Sequence, residues 1–249
     1  MARWAVWASG GVPGTEAAIR AMARHGEVVR VESPAEAGAD PLVVIGGGEG
    51  LAVGPRVVHI PAAVENDVAG TDICLGADSA VNAILRAAAS SAGPTILDVP
   101  GRLTGYLALM GAAGAGAAGA LIVERPFPWD RLKAALAAGA RPLLIRAEGA
   151  GSGADAAARL GVLVAGAEVR VEALGDALRE GPPSIFDMQM AHRLGGAAAE
   201  VLLAGGGGRM IAWRGGNCIP IPLEQVAGHR RQVPPEVFEF AKSCGVMFE

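Results

Sequence analysis

Three groups of residues have the types and spacing to do chemistry. Gly10, Gly11 and Gly14 lie just ahead of a helix-forming run, Thr15-Glu16-Ala17-Ala18-Ile19-Arg20, which Thr15 is expected to cap. Backbone N–H groups at a helix N-terminus attract anions without any side chain, so this segment is either a phosphate cradle or a plain turn. Arg20 and Arg24 follow at i and i+4, expected on one helix face, where they suit a phosphate or simply a solvated surface. The third group is the stretch 61–72, Pro-Ala-Ala-Val-Glu-Asn-Asp-Val-Ala-Gly-Thr-Asp. It gathers Glu65, Asp67 and Asp72 between two apolar segments, and the bland alternative is that these carboxylates only cap and solvate their loop.

Other chemistries find little support. His25, His59, His192 and His229 show no metal-ligand spacing, and Ser9 has no evident His/Asp partner for a hydrolase triad. Cys74, Cys218 and Cys244 are odd in number and far apart, so no metal site is expected and a reduced, cytoplasmic protein is. The net charge of −4 argues against nucleic acid, whose phosphates call for a basic surface. No apolar run approaches the ~20 residues that span a bilayer, and Met1-Ala2-Arg3 leads straight into a strand-like segment, so neither membrane span nor signal peptide is expected.

The elements that must position these residues alternate along the chain. Strands are expected over 4–8, 27–31, 41–45, 56–60, 95–99, 120–124, 142–147, 168–173 and 210–213. Helices are expected from Thr15 and over 78–91, 105–118, 129–138, 155–164, 186–203 and 236–244. The residues are 51% apolar but only 4% aromatic, as Ala-faced helices on buried strands require. Alternation of this kind demands mostly parallel sheets, and two of them if the chain of 249 residues divides.

The acidic stretch resembles the catalytic loop P-K-T-I-D-N-D-I-x-G-T-D of the ATP-dependent 6-phosphofructokinases. Further matches follow in order. Ser9-Gly10-Gly11-Val12-Pro13-Gly14 resembles that family's opening S-G-G-D-A-P-G, and the residues 42–50 resemble L-V-V-I-G-G-D-G-S. Asp98-Val99-Pro100-Gly101-Arg102-Leu103-Thr104-Gly105 resembles E-V-M-G-R-x-x-G, and Glu148-Gly149 the sugar-contacting E-G pair. Residues 174–183 resemble L-G-H-x-Q-R-G-G-S-P, and 191–203 the helix that follows it. Each piece is weak alone; several in order at plausible spacing are strong.

The resemblance implies an α/β fold of two Rossmann-like, parallel-sheet lobes of phosphofructokinase type with a cleft between them. Residues 1–77 and 180–217 are expected to form the larger, nucleotide-side lobe, and 78–179 with 218–249 the sugar-phosphate-side lobe. It implies a degenerate base loop at Glu65 and Asp67 and sugar-phosphate binding by Arg102, Glu148, Arg170 and Arg179, with Arg170 donated across a subunit interface. It implies nucleotide binding by Gly10, Gly11, Gly14 and Gly47, and an effector phosphate on Arg20 and Arg24. Glu65 stands where the family has its base Asp, and Ala62 and Ala63 replace its Lys and Thr. Gly48, with Glu49 beside it, replaces the Mg²⁺-linked Asp, and Asp176 replaces a sugar-site His. The residues 31–41 are short where the family carries an ATP-clasping segment. A one-methylene change in the reach of a base can cost ~10²-fold in rate. The implied function is a silent or very weak paralogue that keeps a sugar-phosphate or anion pocket and acts as a regulatory or partner subunit. It would form a homo-oligomer (dimer or tetramer) or a hetero-oligomer with an active phosphofructokinase. The alternative is an active but weak ATP-dependent 6-phosphofructokinase of glycolysis, or one with another phosphoryl donor; ATP and Mg²⁺ belong to that reading.

Overall fold

The computed structural model describes residues 2–47 and 54–249; the expectations placed on Gly48 and Glu49 lie outside them. The described residues form two compact α/β units. The first takes Met1–Ser79 and Arg179–Arg231, and the second Ala80–Leu178 and Gln232–Glu249.

The first unit is built on a six-stranded sheet. Its strands are β1 (Arg3–Ala8), β2 (Glu27–Arg30), β3 (Leu42–Gly46), β4 (Val57–Pro61), β9 (Arg209–Arg214) and β10 (Asn217–Pro222), in the spatial order β10-β9-β4-β3-β1-β2. All neighbours are parallel except β9 and β10. β3, in the middle, is buried along its whole length, which is why it reads as an unbroken apolar run. One sheet face packs Trp4, Val6, Val43, Ile45, Val58 and Ile60 against helices α1 (Thr15–Met22) and α7 (Ile185–Leu203). Met190, Ala191, Leu194, Ala198 and Leu202 line the buried side of α7 at helical spacing. On the other face, Ala5, Leu42 and Val44 pack with Val31 and Ala37. There the β2–β3 crossover is reduced to a single 3-10 turn, Pro34–Ala37.

The second unit carries a parallel sheet of β5 (Thr95–Val99), β6 (Gly119–Leu121), β7 (Leu143–Ala147) and β8 (Arg170–Ala173), in the order β6-β7-β5-β8. Helices α4 (Trp129–Ala137) and α5 (Gly153–Leu163) share one core with it, through Leu132, Ala156 and Leu160. Helix α3 (Tyr106–Ala115) packs beside β6 and β7 and against α8 (Pro235–Ser243). Helix α2 (Ala77–Ser90) and the short α6 (Gly175–Glu180) each run across a junction between the units' segments.

The first unit runs on to Arg231, because residues 217–222 form β10, a strand absent from the sequence expectations, and hydrogen-bond to β9. Arg214 pairs with Asn217, so the turn between them is the two residues Gly215-Gly216, both at positive φ, the geometry of a tight hairpin. Pro220 and Pro222 disguise this strand. Two apart, they direct their missing N–H groups to the same side, the open sheet edge, where proline is tolerated and discourages further pairing. Thr15 does not cap α1: Gly14 holds the cap position, and the Thr15 hydroxyl donates to the Val12 carbonyl instead. Finally, α1 ends at Met22, so Arg24 lies in the following turn and does not share a helix face with Arg20. A side chain at Gly26 would meet the Ala2 carbonyl and the Trp4 ring, so the chain folds back there into β2.

Candidate functional site

In the first unit the carboxyl ends of the neighbouring strands β1, β3 and β4 lie side by side, where open parallel sheets take their ligands. The Ser9–Gly14 loop follows β1, and its Ser9 side chain packs on Gly46 at the end of β3. Gly47 faces the Ala63 methyl of the acidic loop. Val12 and Pro13 lie against Gly76, and Gly11 lies near the Arg179 carbonyl. The sequence-predicted residues Gly10, Gly11, Gly14, Gly47, Glu65, Asp67 and Arg179 thus belong to one unit.

Within the acidic loop each carboxylate is engaged. Glu65 is ion-paired with Arg179, and both are partly exposed. Asp67 accepts a 2.7 Å hydrogen bond from Arg230. The segment around Arg230 is strapped to the loop: Val68 bridges antiparallel to Arg230, and the Arg231 N–H donates to the Asp67 carbonyl at 2.8 Å. Between the two carboxylates Asn66 adopts a left-handed backbone, φ 56°, and is buried. Its Oδ1 accepts the Cys74 N–H at 2.8 Å, closing the loop on itself. Burial pushes the Cys74 thiol up to about 12, which makes it an inert core group.

The glycine turn keeps part of its backbone open to an approaching group. A side chain at Gly10 would meet nothing within 4 Å, so the backbone there is open to approach. Two of the N–H groups leading α1 are already spent, Thr15 to the Val12 carbonyl and Ala17 to that of Gly14. Nor does the acidic loop suit Mg²⁺, because Glu65 and Asp67 each already face a guanidinium. Among the described residues no three His, Cys, Asp or Glu side chains cluster as a metal site would need. Arg20 and Arg24 are both exposed, one on the last turn of α1 and one beyond it.

The remaining predicted sugar-phosphate residues lie in the second unit. Arg102 and Glu148 come together at 3.7 Å, on loops after β5 and β7, with most of the Arg102 side chain in solvent. Gly149 is what lets those loops meet: a Cβ there would collide with the Arg102 carbonyl. Arg170 lies on edge strand β8 and pairs with Glu172, two residues along the same strand face, at 2.8 Å. Arg102, Arg170 and Arg179 therefore each have a carboxylate beside them. Asp176, in the first turn of α6, and Arg179, in its last, sit where the helix dipole favours their charges.

Several residues that sequence reasoning passed over hold these parts in place. Asp98 and Arg146 form a two-pronged ion pair at 2.7 and 2.6 Å between the ends of β5 and β7, beneath the Arg102 and Glu148 loops. Asp187 is buried and accepts from the Gly76 and Ser79 N–H groups and the Ser79 hydroxyl at 3.0, 2.8 and 2.5 Å, so a side chain of α7 caps the start of α2. Burial raises its carboxyl above the usual range, against the pull of the Ser79 hydrogen bonds. Ser184-x-x-Asp187 was a legible cap signal, and the Ser184 hydroxyl does accept the Asp187 N–H. His59 is fully buried on β4, with Nε2 donating to the Gly46 carbonyl at 3.0 Å and Nδ1 unpartnered. Burial lowers its pKa to about 4, so it is a neutral imidazole at the end of β3.

A family model described as Phosphofructokinase matches residues 29–202. The ATP-dependent 6-phosphofructokinase of Thermotoga neapolitana is 31% identical, over 92% of this chain and 74% of its own length. That of Bacillus pumilus is 30% identical over 87% and 73%. Among solved structures, a pyrophosphate-dependent phosphofructokinase from Marinobacter aquaeolei superposes with a TM-score of 0.76 at 16% identity, covering 100% of this chain and 93% of that one. Phosphofructokinase from Saccharomyces cerevisiae gives 0.77 at 20% identity, over 91% of this chain and 44% of its own.

Proposed function

This chain belongs to the phosphofructokinase family, and we propose that within it the protein is a catalytically silent or very weak member, a regulatory or partner subunit that keeps a sugar-phosphate or anion site. The observation that carries this reading is the Glu65–Arg179 pair. Phosphoryl transfer needs a base for the attacking hydroxyl, a metal, and cations to hold the phosphates. Here the residue at the base position and an arginine expected to bind phosphate neutralise each other, and Asp67 is held by Arg230 in the same way. On this reading the first unit is the nucleotide-side lobe and the second the sugar-phosphate-side lobe. Arg102 and Glu148 are the remaining phosphosugar contacts, since an exposed pair at 3.7 Å is loose enough for an anion to displace. Arg170 and Val171 are exposed on edge strand β8, as suits a cation offered to another subunit of a homo-oligomer or of a hetero-oligomer with an active phosphofructokinase.

A competing reading, a weak 6-phosphofructokinase that phosphorylates fructose 6-phosphate, draws its support from the 31% identity to enzymes named for that activity. Thermal unfolding with fructose 6-phosphate, ATP–Mg²⁺, ADP and phosphoenolpyruvate, alongside a coupled turnover assay, separates the two. A ligand at 100 times its dissociation constant adds ~2.7 kcal/mol of stability. Stabilisation by fructose 6-phosphate without turnover is expected. Stabilisation by ATP–Mg²⁺ with measurable turnover would establish the kinase, and no response to any of the four would remove the phosphosugar site.

A further inference from the structure

The second unit contains a cavity that plays no part in the reading above. Its volume is about 450 Å³, within the range of small-molecule sites. It lies beyond the carboxyl ends of β6 and β7, on the side covered by α4 and α5, and none of Arg102, Glu148 or Arg170 lines it.

Its walls are of two kinds. Phe127 and Trp129 form an edge-to-face aromatic pair, ring centroids 4.9 Å apart, and Val123 extends the apolar wall. The charged lining is Arg125, Asp155 and Arg159. Arg125 is committed: it pairs with Glu249 and lies 4.5 Å over the Phe238 ring. Arg159 is exposed, with its guanidinium carbon 5.5 Å from the centre of the Trp129 ring and no carboxylate within ion-pair distance among the described residues. Asp155 is one helical turn before Arg159 on α5.

We propose that this cavity binds a small aromatic monocarboxylate. Its flat ring lies against Phe127 and Trp129, and its carboxylate takes the fork of Arg159. Charge selects the class. One uncommitted guanidinium matches one carboxylate in two-pronged geometry, and the indole 5.5 Å away attracts the same guanidinium toward the cavity wall. The Asp155 carboxylate disfavours a doubly charged phosphate in the same space. The site shares Gly149–Ser152 with the loop that carries Glu148, so its occupant would rest on the segment that positions the Arg102–Glu148 pair.

The test is calorimetric titration of the whole chain with 2-naphthoate, its neutral amide and inorganic phosphate. Saturable binding of naphthoate is expected, with weak or no binding of the amide and of phosphate. Arg159→Ala, at an exposed position, should weaken naphthoate about tenfold or more, the scale of a lost charge-assisted pair. Asp155→Asn keeps the backbone N–H that the Ser152 hydroxyl accepts, and should tighten it a few-fold. Equal binding of acid and amide, unchanged affinity in Arg159→Ala, phosphate competing on equal terms, or no heat with naphthoate at millimolar concentration would each overturn the proposal. The outcome is independent of whether the fructose 6-phosphate response is seen.

Discussion

Glu65 and Arg179, 114 residues apart in sequence, form an ion pair at the acidic loop of the first unit. The pair joins two positions that the family resemblance assigns to different tasks, the base and the phosphosugar. Its cost and benefit differ sharply. About two-fifths of the Arg179 side chain is in solvent (42%), so the pair contributes little to folding, while it decides the charge of the carboxylate's surroundings.

Arg179→Ala should therefore change the unfolding free energy by less than ~1 kcal/mol, as measured by urea denaturation. Glu65→Asp restores the residue type of the catalytic loop that this stretch resembles; on the proposed reading the metal and phosphate positions remain altered. It should give no detectable turnover in a coupled assay with ATP–Mg²⁺ and fructose 6-phosphate. Turnover from this single change would overturn the silent reading.

Asp187 anchors the start of α2 through two backbone N–H groups and the Ser79 hydroxyl, all in a buried setting. Asp187→Ala leaves these donors without an acceptor. Each buried orphan costs ~1–3 kcal/mol, so the variant should lose on the order of 2–4 kcal/mol after partial relaxation. Asp187→Asn keeps one acceptor oxygen and should lose less. Equal denaturation midpoints for wild type and Asp187→Ala would show that the cap is dispensable.

The order of strands and helices was legible in the sequence because apolar period and turn chemistry are local. β5 falls at Thr95–Val99 as read, and α7 within one residue. β10 was hidden because proline normally argues against a strand, although Gly215-Gly216 before Asn217 carried the hairpin signal. The candidate site was legible as residue types but not as pairings. Nothing near Glu65 indicates that Arg179 neutralises it, and Arg230 reads as one more surface arginine until the 229–231 segment is seen strapped to Asp67. Such partners are set by tertiary approach, which local pattern does not encode.

His59 makes stability depend on pH. Its folded pKa of about 4 lies below the ordinary histidine value of 6.5 because burial disfavours the charged ring. Below pH 6.5 the unfolded chain takes up a proton that the folded one refuses. The contribution is thus fully present above pH 6.5 and falls away toward pH 4, by roughly 3 kcal/mol in all. Asp187, held above the usual carboxylate range, works the other way and gains stability as pH falls. Urea midpoints across this window should drop for the wild type, and His59→Gln should flatten the slope while keeping a donor for the Gly46 carbonyl. An unchanged slope would place the dependence elsewhere.

Gly149 and Gly10 separate a structural glycine from an open one. A Cβ on Gly149 would overlap the Arg102 carbonyl and lie 2.7 Å from Val123, so both backbone loops must move to admit it. Gly149→Ala should cost on the order of 1–3 kcal/mol. It should also weaken fructose 6-phosphate stabilisation, because Arg102 and Glu148 are carried on the two displaced loops. Gly10 has φ 75°, but a Cβ added there would have nothing within 4 Å. Gly10→Ala should thus cost only the ~1 kcal/mol of a left-handed alanine and leave the phosphosugar response intact. Differential scanning calorimetry of both variants, with and without fructose 6-phosphate, checks the contrast. A phosphosugar response lost in Gly10→Ala but kept in Gly149→Ala would move the proposed sugar-phosphate site from the Arg102 loop to the glycine turn.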